Sequence, residues 1–178
     1  MKYLLLLALL SFTKPTATRK LIADKKLSTV TYAAKHPLHK WEGVSRDVNS
    51  AIVYNDDTKQ PESVAVSIKV ASFDSRNSNR DSHAMEVLEG LKYPNVTFVS
   101  SNVKANSDGT LDAIGNLTFH GITKPTTLHA MRTNAGGKMT ITGEFSVSLT
   151  GFDVERPSLM GLKTNDEMML SFNVVFLL

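Results

Sequence analysis

No cysteine occurs anywhere in this chain of 178 residues. Disulfides, thiol catalysis and the acylated cysteine of a lipoprotein are therefore excluded, and stability has to come from the apolar core. The sequence also lacks a GxSxG elbow, a glycine-rich phosphate loop, an HExxH helix and a paired-carboxylate framework. Nothing positions a nucleophile, a general base or a catalytic zinc, so no enzyme activity is expected. The formal charge is only +3 and the basic residues form no patch, which argues against nucleic acid as a partner. Aromatic residues make up 7% of the chain, too few to suggest the girdles of an outer-membrane barrel.

Long apolar runs are missing too. The longest, Tyr3 to Leu10, follows Lys2 and gives way to small and polar residues up to Ala17. A membrane-spanning helix needs about 20 apolar residues. This shorter run reads as a secretory signal peptide, residues 1–17, removed near Ala17. Without Lys2 and Lys14, 18 basic residues face 17 acidic ones. The mature chain is expected to be a single domain, residues 21–178, periplasmic or secreted, with no stable insertion in a membrane.

One stretch organises the rest: Asn79 to Ser101, NRDSHAMEVLEGLKYPNVTFVSS. Asp81 is placed to cap a helix, and Ala84, Val87, Leu88 and Leu91 recur at helical spacing over about Asp81–Glu89. Gly90 and Pro94 stop that helix, and Val96, Phe98 and Ser100 begin a strand. It is the one helix expected in the mature chain, and a lone helix among strands usually plugs, covers or gates something.

Elsewhere the period is two. Ser28–Lys35 alternates, His36-Pro37-Leu38-His39 interrupts it, Trp41-Glu42-Gly43 reads as a turn or strand entry, and Asn49–Tyr54 is a second strand. After Pro61, Val64, Val66, Ile68 and Val70 oppose Ala65, Ser67 and Lys69, the mark of a sheet with one wet face. The strand after the helix turns at Ser107-Asp108-Gly109 and returns through Leu111, Ala113, Leu117 and Phe119. A strand up to Arg132 turns at Asn134–Gly137 and is answered by Met139–Thr150, carrying Ile141, Phe145, Val147 and Leu149 on one face. Gly151–Asn165 reads as irregular, and a last strand presents Leu170, Phe172, Val174 and Phe176. Eight consecutive strands joined by short turns predict an all-β, antiparallel up-and-down barrel with one short helix; a two-layer sandwich has the same local pattern.

Certain strings carry more than period: Asn79-Arg80-Asp81-Ser82-His83; Lys92-Tyr93-Pro94 with Thr97-Phe98-Val99-Ser100; Leu117-Thr118-Phe119-His120-Gly121-Ile122-Thr123-Lys124-Pro125; and Glu155-Arg156-Pro157-Ser158 with Asp166. In this order the set resembles the YceI-like family of polyisoprenoid-binding proteins, over about Leu21 to Leu178. The chain departs from the family in Ala84-Met85 and Val87-Leu88-Glu89 after the helix-opening motif, and in Lys25-Lys26-Leu27 where a histidine often stands. The resemblance implies an eight-stranded lipocalin-like barrel whose lumen holds an isoprenoid chain, such as a quinone or a polyprenyl carrier.

On that reading Tyr32, Val64, Val66, Ile68, Phe98, Leu117, Phe119, Phe145, Val147, Leu149, Leu170, Phe172 and Val174 line the lumen. Arg80, Asp81, His83, His120 and Arg156 then serve as polar mouth or cap residues. Read structurally, Arg80, Asp81 and His83 suit a helix cap with its ion pair, and Arg156 can pair with Asp166 across a loop. Periodicity alone favours a barrel filled by its own side chains, a non-catalytic stress-linked or interaction module, since eight strands enclose little more than their residues. The resemblance favours an open lumen. No cofactor beyond the bound lipid and no metal is expected: His36 and His39 stand two residues apart but lack a ligand framework. No residue pattern encodes the oligomeric state, monomer or homodimer.

Overall fold

The structure, a computed structural model, describes residues 17–178. The expected signal peptide lies outside the described residues, apart from Ala17. Thirteen strands and one α-helix follow in order: β1 (Thr18–Ile22), β2 (Thr29–His36), β3 (His39–Ser45), β4 (Val48–Asn55), β5 (Gln60–Lys69), β6 (Phe73–Asp74), α1 (Ser78–Val87), β7 (Asn95–Ala105), β8 (Thr110–Phe119), β9 (Ile122–Ala135), β10 (Lys138–Ser148), β11 (Ser158–Leu159), β12 (Leu162–Lys163) and β13 (Glu167–Leu177). Eleven of the strands form one antiparallel sheet in the order β1-β4-β5-β7-β8-β9-β10-β13-β2-β3-β6, while β11 and β12 form a separate hairpin.

The eight expected strands are all present; β1, β3 and β6 are additions, and so is the hairpin inside the stretch expected to be irregular. The sheet curls into a barrel whose seam is joined by two short links rather than a full ladder. Ala23 bridges to Phe176, and β3 pairs with β6, the continuation of β5, at Val44–Asp74 and Ser45–Phe73. The all-β antiparallel class is as expected, but the ring is not laddered all the way round, and β1 and β6 are edges. Both are short, which limits the unpaired backbone they expose.

Tight turns set the register. Gly109 has a φ of 87°, and the two-residue loop Gly136-Gly137 has φ values of 57° and 72°, the positive pair that matches hairpin twist. A bulge between Val99 and Asn102 bends β7, and the Ser100 hydroxyl serves its loosened backbone, donating to Ile114 O at 2.7 Å and accepting from Asn102 N at 3.1 Å. Inward residues form two clusters, one around Ile52, Met139 and Phe176, the other around Phe119, Phe152 and Val154. Fully burying side chains of this size stabilises by roughly 1.5–3 kcal/mol each. Val64, Val66 and Leu170 touch both clusters and are only half-buried.

Candidate functional site

Half-burial of inward side chains is the first sign of the site. In a filled barrel Tyr32, Val64, Val66, Phe145, Leu170 and Phe172 would be covered by the opposite wall; each instead keeps accessible surface. They face a cavity of about 540 Å³ and a smaller apolar lobe of about 120 Å³ deeper in the barrel. The two share Val30, Ile68, Val96, Leu117, Phe145 and Leu170 as walls. The thirteen residues expected to line a lumen border one or both of these spaces. Tyr32, Phe119, Val147 and Leu149 stand around the larger cavity, Val64, Val66, Phe98, Phe172 and Val174 around the inner lobe, and Ile68, Leu117, Phe145 and Leu170 at both.

Two glycines help to keep this space open. Gly43 lies across the β2–β3 ladder from Tyr32, and Gly143 across the β10–β13 ladder from Phe172. A Cβ on either glycine would collide with the aromatic ring opposite. Each ring therefore rests on bare backbone instead of projecting further into the lumen.

The polar lining is concentrated at one end. The inner lobe has Ser50 and Thr97 as its polar residues, whereas His36, His39, Arg80, Asp81, Ser82, His83, Ser158 and Thr164 border the larger cavity. Helix α1 provides much of that border. It lies in the excursion between β5 and β7, whose ends are tied by Val70 N–H donating to Pro94 O at 2.9 Å.

The helix starts earlier than expected: Asn77, not Asp81, is the cap, its side chain accepting from Arg80 N at 3.0 Å. Asp81 sits in the first turn and accepts from Ser75 N at 3.1 Å, holding the preceding loop rather than the helix end. The ion pair expected within the Arg80, Asp81 and His83 set does not form; the Arg80 guanidinium lies over the Trp41 ring at 5.6 Å. The expected helical face ends before Leu91, which lies beyond the helix and is 96% exposed. No residue of α1 is fully buried, and Ala84, Met85 and Val87, with the capping Leu88, face the cavity.

Trp41 belongs to a stack at the mouth. The rings of His36 and His39 are 5.2 Å apart, and those of His39 and Trp41 5.1 Å. His36 is buried, and its Nδ1 accepts from Leu38 N at 3.2 Å, so Nε2 carries the proton and donates to Leu162 O at 2.9 Å. Both nitrogens are engaged, and no metal-holding group of three or more His, Asp or Glu exists among the described residues. Burial, and then the nearby Asp81 charge, push the Tyr32 phenol above its ordinary pKa, so this wall stays neutral. His83, 3.5 Å from Glu86, borders the same cavity from the helix.

His120 and Arg156 do not border the cavity. His120-Gly121 is the two-residue loop between β8 and β9, with φ values of 49° and 74°. The Tyr93 ring packs against Gly121 and meets His120 edge-on at 4.9 Å, while His120 Nδ1 lies 3.0 Å from Phe152 O. The two strings Lys92-Tyr93-Pro94 and His120-Gly121 thus form one packed corner. The expected Arg156–Asp166 pair is replaced by separate bonds. Arg156 Nε donates to Thr164 O at 2.7 Å, and Asp166 accepts from the Ser148 hydroxyl at 2.6 Å and Thr150 N at 2.9 Å. These donors, the Ser148 hydroxyl foremost, hold the Asp166 carboxyl below its ordinary pKa.

Sequence reasoning missed Trp41, Met85, Val154 and Leu159 as lining residues. Their signal was faint: a lone tryptophan near a proline, a methionine beside the apolar stripe of the helix, and apolar residues in a loop or on a two-residue strand.

Comparison with known proteins follows the same lines. The YceI-like domain matches residues 22–176. A UPF0312 protein of Pseudomonas putida is 34% identical over 109 residues, 60% of this chain and 54% of that protein, so the chain spans about half the length of this relative. Among solved structures, BcnA of Burkholderia cenocepacia superposes with a TM-score of 0.76 at 22% identity, covering 86% of this chain and 98% of that one. A polyisoprenoid binding domain from Saccharophagus degradans, implicated in plant cell wall breakdown, gives a TM-score of 0.66 at 13% identity, covering 92% and 99%. At such identities the likeness establishes a shared fold.

Proposed function

Because the chain belongs to the YceI-like family, we propose that it binds an isoprenoid lipid, a quinone or a polyprenyl chain, with the tail in the lumen and the polar end at the mouth beside α1. The observation that carries this reading is the polarity gradient of an open lumen, apolar at depth and lined by histidine, arginine and aspartate at one end. The name of the Saccharophagus domain supports the same ligand class. An apolar cavity of about 150 Å³ takes up one benzene. On that scale the larger cavity holds about four five-carbon units and the inner lobe one more. Each buried unit contributes about 4 kcal/mol of gross transfer energy, before the cost of ordering the chain.

The protein acts on this reading as an exported, periplasmic or secreted carrier, binding rather than transforming its cargo. The test is direct. The mature chain is purified without detergent, extracted with organic solvent, and the extract analysed by mass spectrometry. A stoichiometric isoprenoid is the expected result. An empty extract, followed by no saturable binding of isoprenoid quinones, would refute the proposal.

A further inference from the structure

Four large apolar side chains stand exposed on two loops that meet beside the cavity mouth. Leu38, in the β2–β3 turn, is 58% exposed; Leu159, Met160 and Leu162, in the β11–β12 hairpin, are 50%, 85% and 45% exposed. The loops are tied to one another by His36 Nε2 donating to Leu162 O at 2.9 Å and by Asn165 N–H donating to Lys35 O at 2.8 Å. Leu159 also borders the cavity, so this apolar cluster forms part of its rim.

The outermost residue sits in a costly position. Met160 and Gly161 are the two-residue loop of the hairpin, with φ values of 53° and 78°. Asn-Gly suits that geometry, whereas methionine is strained in it. The chain thus places a long, adaptable apolar side chain outermost on a loop where a polar residue would fold better.

Charge completes the pattern. The segments KHPLHK (35–40) and RPSLMGLK (156–163) together hold Lys35, Lys40, Arg156, Lys163 and two histidines, and no acidic residue. An apolar tip on segments flanked by lysines matches the headgroup layer of a bilayer carrying negative lipids, where apolar side chains sink to the acyl boundary and lysines meet phosphate. The geometry points to this rim as the surface by which the protein docks on an anionic phospholipid bilayer, with the mouth facing the lipid. A tail can then pass between bilayer and lumen without crossing water. So few apolar groups make the contact reversible, as a carrier requires. The inference extends the carrier reading but is tested apart from it.

The probe is sedimentation with vesicles of phosphatidylethanolamine and phosphatidylglycerol, against vesicles of phosphatidylcholine alone, at low and high salt. Neither Leu38 nor Met160 borders the cavity, and asparagine fits the Met160 backbone. The Leu38→Glu/Met160→Asn double variant is therefore expected to fold, to keep its affinity for an isoprenoid quinone in solution, and to bind the anionic vesicles roughly tenfold or more weakly. The Lys40→Glu/Lys163→Glu variant should lose the preference for anionic vesicles. Absence of vesicle binding by the unaltered protein, or binding undiminished in the first variant, would overturn the inference. So would self-association abolished by the same substitutions with vesicles ignored, since the partner would then be a second copy. Vesicle binding without quinone binding would instead sink the carrier reading and leave the docking surface standing.

Discussion

Ala113 offers a substitution whose sign separates an open lumen from a filled one. It is half-buried on β8, paired with Val103 and Leu128, and lines the inner lobe of about 120 Å³. A phenyl ring added there by Ala113→Phe takes up the whole of that space, since on the scale used above one benzene needs a cavity of about 150 Å³. Residual cavities destabilise by about 24 cal/mol per Å³, so complete filling would gain up to about 3 kcal/mol, and an imperfect fit about 1–2 kcal/mol. If the wall residues instead met across the lumen, the same ring would overpack them and cost about 1–3 kcal/mol. Urea denaturation reads the difference, provided the slope is unchanged, and thermal melting should rise by roughly 2–4 °C per kcal/mol.

The cargo gives a second readout. Losing the inner lobe removes room for one isoprene unit, worth up to about 4 kcal/mol, or close to a thousandfold in affinity. That loss should appear for tails of five or more units and not for shorter ones, giving a step in a titration series of increasing tail length. A variant that melts lower and binds every tail as the original does would refute both the open inner lobe and its use.

Phe145 borders both parts of the lumen, so Phe145→Arg, which sets a guanidinium among apolar walls, should abolish isoprenoid binding while far-UV circular dichroism stays native. Binding that survives in the folded variant would put the ligand elsewhere. Gly121→Ala asks for a Cβ at a φ of 74° against the Tyr93 ring and should destabilise by about 2–3 kcal/mol, seen as a lower urea midpoint; unchanged stability would remove this corner from the fold's support. The Asp166 carboxyl is held below its ordinary pKa, so its contribution is complete above the ordinary carboxylate range and fades as pH falls through the depressed value. Asp166→Asn should flatten the acid limb of a plot of urea midpoint against pH, and an unaltered limb would exclude the hydrogen bonds from Ser148 and Thr150 as its source.

Much of the fold was legible because a half-buried strand writes its two faces into alternate residues. The strands that escaped lack that mark. In β1, Leu21 is buried and the rest is exposed; β6 has two residues, too few for any period. In β3 the inward positions are Trp41, Gly43 and Ser45, and one apolar residue among three is too little to show a period, so Trp41-Glu42-Gly43 read as a turn or strand entry. The helix was legible as a helix but not at its boundary, since Asn77 and Asp81 are both competent caps and the difference lies in Ser75, which occupies the Asp81 carboxylate. For the site, alternation told which side of each strand faces inward. It could not tell how far away the opposite wall stands, so filled and open barrels looked alike until the inward side chains were seen to keep accessible surface.

The pairing of β2 with β13 has a consequence in time rather than in space. Residues 29–33 pair with 169–173, Ser28 accepts from Val175 N, and Leu27 O accepts from the Asn173 amide, so closure joins segments almost a whole chain length apart. The hairpins from β4 through β10 can assemble in sequence as the chain emerges, but such distant contacts come late and slowly. Until β13 arrives there is only a trough, with its apolar inner face open to water. On the proposed carrier reading, loading is therefore the last event in maturation: an enclosed site for cargo exists only after the final strand has closed the wall.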